Sequence, residues 1–232
     1  MNRFVSLGFI TLLAITGFAM PVIAARQGVT IIGVDISGSA PLVLNQGISD
    51  NAASYLKRTV MGMQPGERLR ILSIGRAGIA ERAIDLKATI GNRSRDRPEI
   101  IASQLERFFR ALPGKAKSGA IARQDATSLI DFLEGFEAHD CTAIPTRIML
   151  FTDGLEASHR ISQADLVAGR STLPLPKADY LKGCDIEMHG VGQLKSGERS
   201  DGLFARLKPQ WAAFFEAAGA GNVTISGEVG GF

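Results

Sequence analysis

The sequence is short of the residues that build soft metal sites and disulfide scaffolds. Its 232 residues include two cysteines and three histidines, and His139, His159 and His189 share no spacing typical of zinc ligands. A disulfide-dense small fold is excluded as well. One tryptophan and two tyrosines stand beside twelve phenylalanines, an aromatic share of 6%, and no aromatic is interleaved in the basic cluster at 93–97. A formal net charge of +3 is too small a surplus to argue for nucleic acid. Arg93, Arg95 and Arg97 do cluster, but Asp96 and Glu99 interrupt them, and the stretch reads as a solvated loop.

What is present is enough apolar material for one substantial core, with 45% of the chain hydrophobic. The first residues look like an export signal. Arg3 supplies the positive start, Phe4 to Phe18 an apolar centre, Pro21 a helix break, and Val22-Ile23-Ala24 a small-residue exit. A signal peptide over residues 1–24 followed by one domain over 25–232 is the expected organisation. The alternative is an uncleaved anchor, because the apolar stretch approaches the roughly 20 residues that span a bilayer. No cysteine stands at the exit, which argues against a lipoprotein.

Export permits a disulfide. Cys141 precedes one expected strand by a few residues and Cys184 immediately precedes the next, so both fall at the amino edge of a sheet. If those strands are neighbours the two can be bridged, closing a loop of about 43 residues worth on the order of 3 to 4 kcal/mol on the chain-entropy model. Two buried free thiols are the other reading.

Apolar strand-like runs alternate with helical periodicities. Thr30-Ile31-Ile32-Gly33-Val34 is a buried parallel strand stopped by Asp35-Ile36-Ser37-Gly38-Ser39. A helix is expected from Leu42 to about Met63, with Ala52, Tyr55, Leu56 and Val60 on its apolar face. Arg68–Ser73 and Ala83–Ile90 alternate on either side of Gly78 and read as a hairpin-like pair, the second an antiparallel edge protected by Glu81, Arg82, Asp85 and Lys87. Pro98 opens a helix through Ile101, Leu105, Phe108 and Leu112 that Pro113-Gly114 ends, with a loop over Lys115–Gln124. A second helix is expected from near Thr127, carrying Leu129, Phe132, Leu133 and Phe136. Arg147–Phe151 is a buried strand ending in Thr152-Asp153-Gly154. Leu155–Lys182 is a long excursion containing Pro174 and Pro176, with one helix around Gln163–Ala168. A strand over Asp185–Val191, a helix carrying Phe204, Leu207, Trp211, Phe214 and Phe215, and a last strand over Val223–Val229 complete the chain.

This alternation predicts an α/β fold: an open, doubly wound, mostly parallel Rossmann-like sheet with one antiparallel edge strand and helices on both faces. Ligands of such sheets bind outside the carboxyl ends of the strands, where strand order reverses. Asp35, Ser37, Ser39 and Asp153 belong to those ends, and Thr127 starts a helix from the same layer. Hard oxygens without imidazole or thiolate suit Mg²⁺, Mn²⁺ or Ca²⁺. Residue by residue, Asp35 could instead cap a loop, Ser37 and Ser39 could be turn residues, and Asp125 or Thr127 could cap the following helix.

Asp35-x-Ser37-x-Ser39 after a buried strand, Thr127 in a later loop and Asp153 after the fourth strand together resemble the metal-ion-dependent adhesion site of von Willebrand factor A-type domains. The resemblance covers about Val29 to Val229. It implies a cation held directly by Ser37, Ser39 and Thr127, with Asp35 and Asp153 near it, often through water. No glycine immediately precedes Thr127, and Ser128 is an alternative ligand. Neutral hydroxyls leave a divalent ion poorly neutralised, so it attracts a carboxylate from elsewhere. The expected function is therefore a noncatalytic binding module, periplasmic or secreted by a bacterium, that engages an exposed Asp or Glu of a protein partner. Nucleic acid is not expected, and a membrane enters only if the leader is retained.

Two other functions compete with this one. A metal-dependent phosphohydrolase built on Asp35 would place a second acid where Ser37 stands, with a lysine beside another acidic pair. A structural domain with an empty site needs none of the five residues.

Overall fold

A computed structural model of the chain describes residues 27–76 and 82–230. The leader expected over 1–24, together with Gly78 and Glu81, lies outside the described residues. Six strands form one sheet: β1 (Val29–Asp35), β2 (Arg68–Ile74), β3 (Asp85–Thr89), β4 (Thr146–Phe151), β5 (Asp185–His189) and β6 (Val223–Ser226). Their spatial order is β3-β2-β1-β4-β5-β6. All pairings are parallel except β2 with β3. The chain first builds outward from β1 through β2 to β3 and then resumes on the other side with β4. The reversal in strand order therefore lies between β1 and β4, the place where doubly wound sheets keep their ligands.

Burial follows position in the sheet. β1 and β4 are central and almost wholly buried, which is why they read as continuous apolar runs. β3 is exposed along nearly its whole length and carries Asp85 and Lys87. Gly33 in β1 has a packing cause. A side chain there would meet Ile74 and Leu150 within 2.9 Å and the Phe132 ring at 3.1 Å. Its absence lets a helix approach the sheet closely.

Helices cover both faces. On one lie α1 (Pro41–Leu44), α2 (Gln46–Met61), α3 (Pro98–Arg110) and α4 (Leu112–Lys117), packed around Ile32, Val34, Ile71 and Phe151. On the other lie α5 (Leu129–Glu134), α6 (Gln163–Ala168) and α7 (Asp201–Ala217), around Ile31, Leu72, Ile148 and Met188. Trp211, Phe214 and Phe215 of α7 have no exposed surface. Truncating any of them to alanine costs about 3–5 kcal/mol.

Several expected boundaries shift, each for a local reason. The helix expected from Leu42 is broken at Asn45, whose side chain accepts from the Ile48 amide at 3.2 Å and starts α2 afresh. Pro113-Gly114 does not end helical structure. Pro113 sits in the first turn of α4, where a missing amide is harmless, so part of the expected Lys115–Gln124 loop is helical. In α3 the deeply buried ring is Phe109, and Phe108 is only partly covered. The helix expected near Thr127 begins at Leu129. The last strand stops at Ser226, short of Val229. Cys141 and Cys184 are disulfide-bonded across 43 residues, with Cα atoms 5.1 Å apart. Their strands β4 and β5 are paired neighbours at that edge.

Candidate metal centre

β1 presents Asp35 at its last position, and β4 presents Thr152 and Asp153 just beyond its own end. Because Val34 lies opposite Phe151, both carboxylates emerge side by side at the switch point. Both are buried. The Ser37 amide donates to Asp35 Oδ1 at 2.8 Å, bending the loop back onto the strand end. The Thr152 hydroxyl donates to Asp35 Oδ2 at 2.7 Å and accepts from the Gly154 amide at 3.1 Å. Asp153 Oδ1 accepts from the Leu155 amide at 2.9 Å. The hydroxyls of Ser37 and Ser39 lie 3.2 Å apart, and that of Ser39 also reaches Asp153.

Thr127 enters this layer through the backbone. The Gly38 amide donates to the Gln124 carbonyl at 2.9 Å, and the Gln124 amide donates to the Ile36 carbonyl at 3.2 Å. Three residues later Thr127 and Ala157 exchange amide hydrogen bonds of 3.1 and 2.8 Å. The segment between Gln124 and Thr127 thus joins the loop after β1 to the loop after β4. Thr127 is buried, as is Ser128, whose amide donates to the Gly75 carbonyl at the end of β2. Asp35, Ser37, Ser39 and Asp153 are directly interlinked, and Thr127 is fastened between their two loops. The outer rim is Gly38, which is exposed, and Ser39, which is half-buried.

The electrostatics show strain between two acids. Burial raises the Asp35 pKa above the usual carboxylate range, against the lowering effects of the Ser37 amide and the Thr152 and Ser37 hydroxyls. Burial first, and the Asp35 charge second, push Asp153 up to about 7, while the Leu155 amide, the Ser39 hydroxyl and the Lys195 charge pull it down. Two desolvated carboxylates sharing one layer cannot both ionise cheaply unless a cation lies between them. Among the described residues no three His, Cys, Asp or Glu side chains gather for a metal. Any ion in this layer would rest on hydroxyls beside two carboxylates, an all-oxygen set that fits Mg²⁺, Mn²⁺ or Ca²⁺.

Two supporting residues, and a second role of a third, carry no signal in the sequence. Thr152 bridges the two strand ends and was hidden because a lone threonine before an aspartate carries no pattern. Glu156 has no exposed surface, and its Oε2 accepts from the amides of Leu129 and Ile130 at 2.8 and 3.2 Å. It satisfies the amino end of α5 from 27 residues away, so neither Asp125 nor Thr127 is the cap. Asp125 instead pairs with Arg76 at 2.7 Å on the surface. Burial pushes Glu156 up to about 7. Trp211, a core residue as expected, also donates from Nε1 to the Gly154 carbonyl at 2.9 Å. Gly154 has φ of 79°, a left-handed conformation that glycine adopts without strain. The excursion after Asp153 starts by pairing with Thr127 through Ala157, and further on Pro174, Leu175 and Pro176 line a cavity with Glu134 at the far end of α5, Tyr180 and Phe214.

No protein-family model matches the chain. No curated protein matches it. Among solved structures, the chain is similar to an aerotolerance-related membrane protein from Bacteroides fragilis NCTC 9343 with multiple mutations to serines, at 13% identity and a TM-score of 0.44, over 87% of this chain and 91% of that one. It is also similar to a von Willebrand factor type A protein from Catenulispora acidiphila, at 14% identity and a TM-score of 0.43, over 86% of this chain and 38% of that one.

Proposed function

We propose that the chain is an exported, noncatalytic binding module of the von Willebrand factor A type, which engages an acidic side chain of a protein partner through a divalent cation. The observation that carries this reading is the linkage of Asp35, Ser37, Ser39 and Asp153 at the switch point of the sheet, with Thr127 fastened between their loops. The hydroxyls of Ser37, Ser39 and Thr127 would hold Mg²⁺, Mn²⁺ or Ca²⁺, with Asp35 and Asp153 beside it. When bound, such an ion supplies a positive charge that neutral hydroxyls leave only partly quenched, and a carboxylate from a partner is the natural complement.

The chain's own groups orient the site. Thr152 and the Ser37 amide fix the Asp35 carboxylate, and the Leu155 amide and Trp211 fix the turn that carries Asp153. Gly38 and Ser39 form the accessible rim through which a partner reaches the layer. The disulfide supports export to an oxidising compartment, the periplasm or beyond. No helix of the described residues is long and apolar enough to cross a membrane.

The test is capture of partners from bacterial envelope extract on the immobilised chain. Capture should be lost on chelation, return when Mg²⁺ is restored, and fail with Asp153→Ala. Capture indifferent to chelator, or turnover of a model phosphoester by the purified chain, contradicts the reading.

A further inference from the structure

At the amino end of β1 and β2, opposite the metal layer, the sheet face that carries α5 is open. α5 ends at Glu134, and beyond it Arg68 at the start of β2 and nearly all of β3 are exposed, with Arg70 half-buried. The result is a groove of about 580 Å³ whose floor is Val29 and Phe136 and whose wall is Arg68, Arg70, Arg82 and Lys87. Arg70 is held by Asp85 through two hydrogen bonds of 3.1 and 2.8 Å. Arg68, Arg82 and Lys87 have no ion-pair partner among the described residues. Arg82 stacks on the Phe132 ring at 5.8 Å, and burial together with the Arg70 charge lowers its pKa. Asp85 is an acid that faces these cations, its charge acting on Arg70, Arg82 and Lys87, and against it stand the four basic side chains of the groove, which leaves a positive surplus.

The strand beside it is a free edge. The Ser73 amide donates to the Ile84 carbonyl, and the Ile90 amide donates to the Glu67 carbonyl. In this antiparallel register the alternate residues Asp85, Lys87 and Thr89 turn their amides and carbonyls outward. Among the described residues no strand pairs with that side. The opposite face of β3 carries an apolar notch of about 220 Å³ in which Leu86, Ile101, Leu105 and Phe108 meet. Leu86 is 44% exposed there. One edge therefore offers outward backbone groups, a basic groove below and an apolar notch above.

We propose that the outer edge of β3 receives an extended segment of a partner protein by strand addition, with acidic side chains on the Arg68, Arg82 and Lys87 side and alternate apolar side chains in the Leu86 notch. Alternation of side chains across a strand delivers both sets at once. Like charges directed at a basic partner would turn it away, so Lys87 and Arg82 select as well as protect the edge. This surface is independent of the cation layer and lies at the other end of β1.

The experiment is an NMR titration of the ¹⁵N-labelled chain, in chelator, with an acetylated and amidated peptide of alternating glutamate and valine. Saturable shifts are expected at the Lys87 and Thr89 amides. Arg82→Glu combined with Lys87→Glu should weaken binding on the order of tenfold or more, and Lys87→Glu alone, which leaves the Arg82–Phe132 contact in place, should weaken it in the same direction with the fold intact by circular dichroism. Methylating alternate backbone nitrogens of the peptide should abolish binding without touching the protein. Equal affinity for oligoglutamate, equal affinity for the methylated peptide, or no saturable shift at millimolar peptide overturns the proposal. None of these outcomes bears on the cation layer, which chelator leaves silent throughout.

Discussion

The hydroxyl of Thr152 stands 2.7 Å from Oδ2 of Asp35, across 117 residues of sequence, while accepting from the Gly154 amide at 3.1 Å. One small side chain thereby holds the ends of β1 and β4 in a fixed relation. Thr152→Val keeps the shape and removes the hydrogen bond, leaving a buried carboxylate oxygen and a buried amide without their partner. A loss of about 1–3 kcal/mol of stability is expected. Divalent-ion affinity should fall in step, and Thr152→Ser should restore most of both. Calorimetric titration with Mn²⁺ alongside thermal melting checks the pair.

Trp211 has a second role beyond filling the core. Its indole donates to the Gly154 carbonyl, directly behind Asp153. Trp211→Phe removes that donor and part of the ring volume, so a loss of about 2–4 kcal/mol is expected from the orphaned carbonyl and the cavity together. Leu56→Ala, fully buried on the opposite face of the sheet, serves as the control. It should lower stability without a matching loss of ion affinity, as read by the same titration.

The metal-free chain should become less stable as pH rises from about 4 to about 8. Asp153 and Glu156 are both pushed up to about 7 in the folded state, whereas their unfolded values lie near 4. Across that window the folded chain holds protons that the unfolded chain has released, and raising the pH favours unfolding. Melting in chelator across this range should show the decline. Asp35, also raised by burial, adds to the decline, and Glu156→Gln removes one contributor and should make it shallower. Saturating Mg²⁺ binds the ionised form, so its stabilising effect should be larger at the alkaline end.

The disulfide separates stability from binding. Cys141 and Cys184 lie at the amino edge of the sheet, and the carboxylates lie at the carboxyl edge. Replacing both cysteines by serine should cost about 3–4 kcal/mol on the loop-entropy model and leave Mn²⁺ affinity unchanged. Denaturant unfolding and ion titration of the double variant measure the two effects.

Much of this architecture is legible in the residues. Ile31 to Val34 and Ile148 to Phe151 are uninterrupted apolar runs because their strands are covered on both faces. Asp85 and Lys87 mark an edge because β3 is exposed. The neighbouring positions of Cys141 and Cys184 follow from the strands they precede. Periodicity is blind to groups whose partners come from far away in sequence. Glu156 looks like any loop acid until its carboxylate is found on the amides of Leu129 and Ile130. The apolar stripe from Leu129 puts a helix start near Thr127, and the pairing with Ala157 holds Thr127 two residues before that helix in an extended bridge. Helix breaks failed for a related reason. Asn45 and Pro113 both begin helices through their local chemistry, and a pattern of apolar spacings passes over them.

A Mn²⁺ titration of the purified, metal-free chain near neutral pH, followed by electron paramagnetic resonance, reaches the heart of the matter. The wild-type chain should take up a single ion at a saturable site. Asp35→Ala, and Ser37→Ala combined with Ser39→Ala, should lose that site while keeping the fold by circular dichroism. An unchanged binding curve in those variants, or no saturable binding by the wild type, would contradict a cation held between the ends of β1 and β4.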